Sequence, residues 1–336
     1  MEFIIYLPIF ASFLVTLFII PYWIIKAKSI KLVWDDMNKP KKQKVAGSGG
    51  LTVIFGFTLA ILLYISIFTF IWKTTDTLVI IFALLTSILI LGGIGIVDDL
   101  LGWKKGGLSK KFRLIICAFA AIPLIVVNAG EASVNLPFLN GTNLGLFYPL
   151  LLIPVAIIGT STTFNFLAGF NGLEAGQGII IISALSFVSY MTGNTWLALI
   201  GLMLVASLLA FLIYNKYPAK IFPGDSLTYP VGGMIAIMAI FGNMERIALF
   251  FFIPYIIEVG LKARGRLKKQ SFGKPKKDGS LILRYNKIYG LEHFAIWMLS
   301  KFKKNVYEKE VVYFIHAIQI AFIIFGLIIF RESIFI

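Results

Sequence analysis

Long apolar stretches make up most of the chain, and short polar connections separate each one from the next. A helix that spans a membrane needs about 20 mostly apolar residues. Ten stretches approach this length and are numbered as spans one to ten in chain order: Phe3–Ile25, Gly49–Trp72, Thr77–Val97, Phe112–Asn128, Phe147–Phe166, Gly178–Met191, Trp196–Tyr214, Tyr229–Phe241, Arg246–Leu261 and Val311–Phe330. Seven of them are clear, and spans six, eight and nine are shorter. The pattern predicts an all-α, polytopic integral membrane protein of about ten transmembrane helices, with residues 1–336 as a single membrane-embedded domain.

The composition agrees with a membrane protein rather than a soluble domain. Hydrophobic residues make up 59% of the chain and charged residues 14%, whereas soluble domains average about 45–50% and about 25%. Cys117 is the single cysteine, which excludes an intramolecular disulfide, and two histidines are too few for a histidine-rich metal site. The excess of apolar residues is therefore expected to face lipid.

Positive charge is concentrated in alternate connections. The net charge is +15, and 28 of the 31 lysines and arginines follow predicted spans one, three, seven and nine. Because such residues accumulate in cytoplasmic loops, these connections are predicted to be cytoplasmic and both termini to lie outside. In a soluble protein this charge would suggest a nucleic-acid partner. In this chain the positive loops are expected to face the anionic membrane surface, and no nucleic-acid partner is expected.

The longest connection, the cytoplasmic loop 262–309, is predicted to carry structure of its own. Leu283 and Tyr285 alternate with polar neighbours, which indicates a short strand. Leu291–Phe302 is apolar and aromatic on one side, as expected of a helix that lies in the membrane interface between spans nine and ten.

Polar residues at membrane depth are costly and often functional, and here they gather at the cytoplasmic ends of predicted spans. Asp98 and Asp99 end span three in the sequence VDDLLG. Adjacent carboxylates repel each other, so a divalent cation or a nearby lysine is expected to accompany them. The alternative is a solvated helix end among basic neighbours.

Two further polar clusters face the same side. Asn165 ends span five, Asn171 and Glu174 follow in a glycine-punctuated loop, and Asp225 lies in a Pro-Gly-Asp turn before span eight. Carboxamide groups can coordinate a hard cation or hydrogen-bond a base or a sugar. An ordinary turn between helices is the alternative explanation for each loop.

A pair of arginines follows span nine. Arg264 and Arg266 suit bidentate contacts to phosphate or carbonyl groups, although the positive-inside bias alone also places arginines there. Together with the aspartates and asparagines they suit a metal-bound diphosphate, because Mg²⁺ prefers carboxylate and phosphate oxygens.

These motifs resemble those of a known family. NFLAGFNGLEAGQ, VDDLLG and FPGDS are similar to the signatures of the polyprenyl-phosphate N-acetylhexosamine-1-phosphate transferases, and DMNKP followed by GSGG resembles that family's first cytoplasmic loop. The branch that the chain resembles most is the eukaryotic and archaeal dolichyl-phosphate N-acetylglucosamine-1-phosphotransferase. The resemblance covers nearly the whole chain and implies ten spans in the orientation given above.

The resemblance implies catalytic and metal-binding roles for the matching residues. Asn165 and Asp225 match the ligands of Mg²⁺, for which Mn²⁺ is a substitute. Asp98 or Asp99 matches the residue that activates the lipid phosphate or supports the metal. Lys111 matches a lysine that contacts the diphosphate.

Six residues match positions that bind substrate: Asn38, Lys39, Asn171, Glu174, Arg264 and Arg266. Asn171 matches an asparagine near the uridine, and the two arginines match an Arg-His-Arg group near the acetamido sugar. Gly265 stands at the middle position and departs from that pattern, which leaves the sugar open. The histidine cluster of the bacterial peptidoglycan-precursor branch is absent, which argues against that substrate.

The resemblance implies transfer of N-acetylglucosamine-1-phosphate, or a related N-acetylhexosamine-1-phosphate, from a UDP-sugar to a polyprenyl or dolichyl phosphate with release of UMP. It also implies the first membrane step of lipid-linked glycan assembly, for protein N-glycosylation, and it allows a homodimer. A one-step displacement and a covalent aspartyl-phosphate route stay open. So do two other functions: a transporter of an anionic substrate, which Glu258 in span nine favours, and an inactive member of the family.

Overall fold

The computed structural model describes residues 2–105, 107–136 and 139–335. These residues are mostly helical, and their α-helices are, in chain order, α1 (Leu7–Ser29), α2 (Gly50–Ile67), α3 (Leu78–Lys105), α4 (Lys110–Phe119), α5 (Ile122–Val126), α6 (Ile153–Phe164), α7 (Leu173–Met191), α8 (Thr195–Asn215), α9 (Asp225–Phe241), α10 (Glu245–Phe251), α11 (Ile253–Arg264), α12 (Leu291–Leu299), α13 (Glu308–Ile329) and α14 (Arg331–Ile334).

A 3₁₀ helix (Glu2–Tyr6), two π-helical segments (Phe68–Trp72 and Tyr148–Leu152) and three short antiparallel hairpins complete the described elements. The hairpins pair β1 (Val33–Asp35) with β2 (Lys44–Ala46), β3 (Ser133–Leu136) with β4 (Leu139–Asn143), and β5 (Lys274–Pro275) with β6 (Leu281–Ile282). The first two hairpins have no counterpart in the sequence-based prediction. In the hairpin of the first loop, Trp34 stands opposite Val45 across the ladder.

Six helical segments of the described chain are long and apolar enough to cross a membrane: Phe3–Ser29, Gly50–Trp72, Leu78–Gly102, Leu173–Met191, Thr195–Asn215 and Glu308–Ile329. They coincide with six of the predicted stretches, so the helical, polytopic membrane architecture is confirmed. Two other predicted spans are shorter apolar helices, Tyr148–Phe164 and Asp225–Phe241.

The remaining two predicted spans are each divided into two helices. Between α4 and α5 the division falls next to Pro123, and between α10 and α11 it falls next to Pro254. Proline has no N–H to donate to the preceding turn, and it is well tolerated at the first positions of a helix. A new helix therefore starts at each proline instead of continuing the earlier one.

Helix α9 lies at the centre of the bundle, where it packs against α2, α3, α6 and α7. Its residues are buried over most of their length, from Ser226 to Ile240. Helix α3 approaches it closely at Gly95, where any Cβ would overlap the carbonyl of Asp225. This close approach places the end of α3 directly beside the first turn of α9.

Three boundaries differ from the prediction. Helix α3 continues to Lys105, so the two aspartates lie within a helix and not at its end. Helix α7 begins at Leu173, so Glu174 lies in its first turn and not in a loop; an acidic side chain is favoured there by the helix dipole. In the long loop 262–309 the strands are Lys274–Pro275 and Leu281–Ile282, both before Leu283 and Tyr285, and the helix is α12.

Candidate active site

One cavity of about 650 Å³ opens at the end of the bundle where the polar motifs meet. Its lining comes from the connections after predicted spans one, three, five, seven and nine, and includes Trp34, Asp36, Ser48, Asp98, Asp99, Arg113, Asn165, Gly169, Glu174, Phe222, Asp225, Gln270 and Phe272. Five segments that are far apart in sequence therefore contribute to a single site.

Asp99 holds the start of helix α9 in place. Its Oδ1 accepts a hydrogen bond from the backbone N–H of Asp225 at 2.7 Å, and its Oδ2 accepts one from the N–H of Ser226 at 3.3 Å. The first N–H groups of a helix have no partner within the helix, and a carboxylate is favoured at that position. Asp99 therefore fixes the position of Asp225 relative to α3.

Asn165 and Asp225 meet side chain to side chain. Asn165 immediately follows α6, and its Nδ2 donates a hydrogen bond to Asp225 Oδ1 at 2.7 Å. The carboxylates of Asp225, Asp98 and Asp99 and the carboxamide of Asn165 are all hard oxygen ligands of the kind that Mg²⁺ prefers. Among the described residues, no three His, Cys, Asp or Glu side chains enclose a metal ion by themselves.

Asp98 pairs with an arginine that the sequence analysis did not single out. Asp98 Oδ2 lies 2.7 Å from Nε of Arg113 and accepts a hydrogen bond from the hydroxyl of Tyr229 at 3.0 Å. Its Oδ1 accepts one from the N–H of Leu108 at 2.8 Å. Arg113 is the one arginine in the basic stretch that follows the aspartate pair. That distinction was the available signal, because a guanidinium is better suited than an ammonium to bind a carboxylate in fixed geometry.

Glu174 lines the cavity, and only one of its two carboxylate oxygens has a partner. Its Oε1 accepts a hydrogen bond from the N–H of Gly169 at 2.8 Å. Its Oε2 is buried and has no hydrogen-bond partner within the described part of the chain. An unpaired buried oxygen is costly, so Glu174 carries a polar atom that its described surroundings leave unsatisfied.

Comparison with known proteins identifies the family. The family model described as "Glycosyl transferase family 4" matches residues 81–243. A Saccharolobus solfataricus protein named "Putative UDP-N-acetylglucosamine--dolichyl-phosphate N-acetylglucosaminephosphotransferase" is 36% identical over 326 residues, which are 96% of this chain and 96% of that protein. The chain belongs to glycosyl transferase family 4.

Two further relatives carry similar names. A Sulfolobus acidocaldarius protein with the same printed name is 32% identical over 324 residues, which are 96% of this chain and 95% of that protein. A Dictyostelium discoideum protein named "UDP-N-acetylglucosamine--dolichyl-phosphate N-acetylglucosaminephosphotransferase" is 30% identical over 286 residues, or 74% of this chain and 69% of that protein. The resemblance drawn from the motifs is thus confirmed at the level of the family.

Asn171 lies in a buried polar network beside the cavity and not in its lining. Its Nδ2 donates to Glu308 Oε1 at 2.7 Å and to Asp36 Oδ2 at 3.1 Å, and its Oδ1 accepts from the N–H of Ala219 at 2.6 Å. Every polar atom of the Asn171 side chain is therefore used within the protein. This arrangement places Asn171 as a support for the glycine-rich loop of the family motif.

Asn38 and Lys39 belong to the same network. The Asn38 side chain donates to the carbonyl of Gly169 at 3.0 Å and accepts from the N–H of Gly273 at 3.1 Å. Lys39 forms ion pairs with Asp36, at 3.2 Å, and with Glu308. Asn38 thus joins the glycine-rich loop to the long loop 262–309. The roles in substrate binding that the resemblance implies for Asn38 and Lys39 stay predictions.

Glu308, at the start of α13, was not among the residues predicted from the sequence, although it contacts both Asn171 and Lys39. Glu308→Ala is expected to lower the free energy of unfolding by about 3 kcal/mol, because it leaves the buried Lys39 ammonium without a main partner. Thermal unfolding of the purified protein in detergent measures this change. The control is Glu332→Ala, which removes an exposed glutamate; equal stability of the two variants would contradict the role given to Glu308.

Three further predicted site residues lie outside the lining of the cavity, as Asn38, Lys39 and Asn171 do. Lys111 is exposed, and so are Arg264 and Arg266. The guanidinium of Arg264 lies 6.0 Å from the ring centre of Tyr289. The roles with the diphosphate and the acetamido sugar that the resemblance implies for these side chains stay predictions.

The departure at Gly265 has a local structural reason. A Cβ at this position would lie 2.9 Å from Cγ of Lys269 and 3.2 Å from Cδ1 of Tyr289. Lys269 in turn places its ammonium 4.9 Å from the ring centre of Tyr285, a cation–π contact. A histidine at 265 would therefore displace Lys269 from its place against the tyrosine rings.

Glu258 is engaged in a buried ionic cluster that attaches the long loop 262–309 to α11. Its Oε1 lies 3.0 Å from Lys262 Nζ, and its Oε2 accepts from the N–H of Leu291 at 2.6 Å. Burial raises the pKa of Glu292 well above its ordinary value, and nearby Glu258 adds to this effect. Burial, together with Lys262, lowers the pKa of His293 to about 4. Glu258 thus serves the attachment of the loop, which removes the feature that favoured a transporter.

Proposed function

We propose that this protein transfers N-acetylglucosamine-1-phosphate from its UDP-sugar to dolichyl or another polyprenyl phosphate and releases UMP. The observation that carries the proposal is the convergence of Asp98, Asp99, Asn165 and Asp225 in one cavity. The names of relatives that match the chain over nearly its whole length support the donor and the acceptor. The reaction would be the first membrane step of lipid-linked glycan assembly.

The proposed reaction is a one-step displacement. An oxygen of the lipid phosphate bonds to the sugar-linked phosphorus, the bond between that phosphorus and the UMP oxygen breaks, and UMP leaves with the bonding electrons. Asp98 or Asp99 takes the remaining proton of the lipid phosphate, whose second pKa is about 6. Both oxygens of each carboxylate accept hydrogen bonds within the protein, Asp99 from the start of α9 and Asp98 from Leu108 and Tyr229, so these contacts do not distinguish the two. Positioning and electrostatic stabilisation then supply most of the rate.

The donor set fits a divalent cation. Asn165 and Asp225 would hold Mg²⁺, or Mn²⁺ in its place, with diphosphate oxygens completing the coordination. When bound, the cation neutralises negative charge on the diphosphate. Arg113, whose side chain lines the same cavity beside Asp98, contributes a fixed positive charge from the protein itself.

An apolar groove supplies a place for the polyprenyl chain. It has a volume of about 470 Å³ and is formed by α6, α9, α10 and α11. Thr163 lines the groove two residues before Asn165, so the groove begins at the active-site end of the bundle. The groove extends to Tyr148 and Glu245, which form a 2.6 Å hydrogen bond. From Thr163 to Tyr148, along α6 and the turn before it, the groove is about 22 Å long.

The distribution of lysine and arginine supports a cytoplasmic position for the cavity. All five segments that line it follow odd-numbered predicted spans, and the connections rich in lysine and arginine are among them. Ten spans with both termini outside is the topology that this arrangement favours.

Release of UMP by the purified protein tests the proposal. We expect UMP from UDP-N-acetylglucosamine that depends on added polyprenyl phosphate and disappears when EDTA removes the divalent cation. Release from a different UDP-sugar alone would keep the chemistry and change the substrate. No release with any donor, from protein that remains folded, would contradict an enzymatic function and make transport of an anionic substrate the next assay.

A further inference from the structure

The apolar groove proposed for the polyprenyl chain has one wall that is made of small side chains. On α6 this wall consists of Ala156, Gly159, Thr160 and Thr163. Their spacing of three and four residues puts them on one face of the helix. The Thr160 hydroxyl donates to the carbonyl of Ala156 at 2.9 Å, so its polar group is bonded within the helix. This face of α6 therefore presents little bulk to the groove.

Gly159 lies in the middle of this wall, and close packing does not explain a glycine there. A Cβ at Gly159 would meet no atom of the described residues within 4 Å. Gly232 of α9 is different, because a Cβ there would lie 2.5 Å from the carbonyl oxygen of Thr160. Glycine is less stable than alanine within a helix. The feature that Gly159 does provide is open space in the groove.

The groove is open along one side. Its floor on α9 is buried and includes Ala236 and Ala239, whereas Val155, Leu249 and Ile256 line its rim and are exposed. Exposed apolar side chains on helices within a membrane face lipid tails, which are equally apolar. A lipid chain can therefore enter the groove sideways from the membrane.

The two ends of the groove give it a finite length. Thr163 is close to Asn165 of the active site at one end, and at the other end the hydroxyl of Tyr148 donates to Glu245 Oε1 at 2.6 Å. A polar pair is an unfavourable neighbour for a hydrocarbon tail. Three bonds of an extended chain span about 3.6 Å, so the four chain bonds of an isoprene unit span about 5 Å and the groove of about 22 Å holds about four units.

We propose that Gly159 determines the specificity for the lipid acceptor, because it keeps the groove open to about four isoprene units counted from the phosphate. Units beyond these lie in the bilayer and are not recognised. This inference rests on the proposed function, since it takes the occupant to be the chain whose phosphate reacts. The groove begins at the active site, which favours that chain over an acyl chain of a bilayer lipid.

Packing supplies the preference, and removal from water does not. A polyprenyl chain in a bilayer or a detergent micelle is already surrounded by hydrocarbon, so only its contacts with the groove distinguish the bound state. Each unit within the groove is expected to strengthen binding about twofold through these contacts. The gain is expected to end at about four units.

Initial rates of UMP release with polyprenyl phosphates of increasing length test the proposal on the full chain in detergent. Gly159→Leu places a side chain in the groove about 6 Å from Thr163, so about one unit remains accommodated. The KM for a long acceptor is expected to rise about eightfold, twofold for each of about three lost units. The KM for UDP-N-acetylglucosamine is expected to stay unchanged. Gly159→Ala fills less of the groove and is expected to raise the acceptor KM about twofold.

Thermal unfolding separates this effect from misfolding. Gly159→Ala and Gly159→Leu are both expected to raise the unfolding temperature, because each replaces a helical glycine that has free space around it. Gly93→Leu is the matched control. Gly93 is exposed on α3 outside the groove, and a Cβ there would also meet no described atom within 4 Å. Gly93→Leu is expected to raise the unfolding temperature in the same way and to leave both KM values unchanged.

Native mass spectrometry gives a readout that needs no turnover. The detergent-solubilised protein is mixed with polyprenyl phosphates of several lengths, and the bound lipid is identified by its mass. The wild type is expected to retain acceptors of about four units and longer equally well, and shorter ones less well. Gly159→Leu is expected to lose this preference. If Gly159→Leu does not fold, Gly159→Ala gives the same comparison with a smaller effect.

Two outcomes would overturn the inference. One is the same dependence on acceptor length in the wild type and in folded Gly159 variants, and the other is equal retention of a diacyl phospholipid and a long polyprenyl phosphate by the wild type. Failure of the proposed function looks different. A wild type that shows the length preference, and loses it in Gly159→Leu, but releases no UMP would contradict the transferase and leave the groove assigned to a polyprenyl chain.

Discussion

Alanine at Asp225 is expected to lower lipid-dependent UMP release by about 10³-fold. The Asp225 carboxylate is the point at which α3, α6 and α9 meet, since Asp99 accepts from its N–H and Asn165 donates to its Oδ1. The change removes the charged ligand of the proposed cation and leaves the Asn165 amide without its partner. Initial rates at saturating UDP-N-acetylglucosamine and polyprenyl phosphate, across a range of Mg²⁺ concentrations, measure the effect.

Two further variants define what Asp225 contributes. Asp225→Asn keeps an oxygen that can accept from Asn165 but loses the negative charge, so a rate close to that of Asp225→Ala would assign the effect to charge. Asp278→Ala is the control, because Asp278 is an exposed aspartate in the hairpin of the long loop 262–309. An Asp225→Ala protein that keeps more than about a tenth of the wild-type rate would rule out the role proposed for this residue.

The second large effect is expected at Arg113. Arg113→Met leaves the Asp98 carboxylate, which is 1% exposed, without its cation. Breaking a buried ion pair by removal of one partner costs about 3 kcal/mol of unfolding free energy, and loss of a fixed positive charge beside the diphosphate is expected to lower kcat by about 10²-fold. Thermal unfolding and UMP release on the same preparation measure both.

Three further variants, one at Arg113 and one each at Lys268 and Lys111, separate the effect of Arg113 from that of its charge and of neighbouring lysines. Arg113→Lys keeps the charge and is expected to recover part of kcat, whereas Lys268→Met removes an exposed charge and serves as the control. Lys111→Met decides between the structure and the resemblance. A larger loss of kcat in Lys111→Met than in Arg113→Met would show that the diphosphate reaches the exposed lysine and not the arginine in the cavity.

The sequence predicts the helices and the polar motifs because both are local in the chain. A long run of apolar residues indicates a membrane helix wherever it occurs. The motifs around Asp98, Asn165 and Asp225 are short and contiguous, so each can be recognised in the sequence. Their meeting in one cavity also follows, since alternate connections of a bundle of spanning helices lie on one side. What is local, or is fixed by the alternation of spans, was predictable.

The remaining features depend on contacts between distant segments. Arg113 could not be told from its basic neighbours until α4 was seen to place it against Asp98, and Glu308 lies 137 residues from its partner Asn171. The start of α7 at Leu173 was misplaced for a local reason instead, because it follows Gly172, whose positive φ is not specified by the sequence pattern.

The position of Glu308 has a consequence for biosynthesis. Asp98, Asn165 and Asp225 have all been made by the time α9 is complete, but the carboxylate that holds the N–H and the side chain of Asn171 lies on α13. A nascent chain that has inserted only as far as α11 thus contains the groups proposed for the chemistry without the support of their neighbouring loop. Insertion of the last long helix therefore completes the site and separates a partly made chain from a functional one.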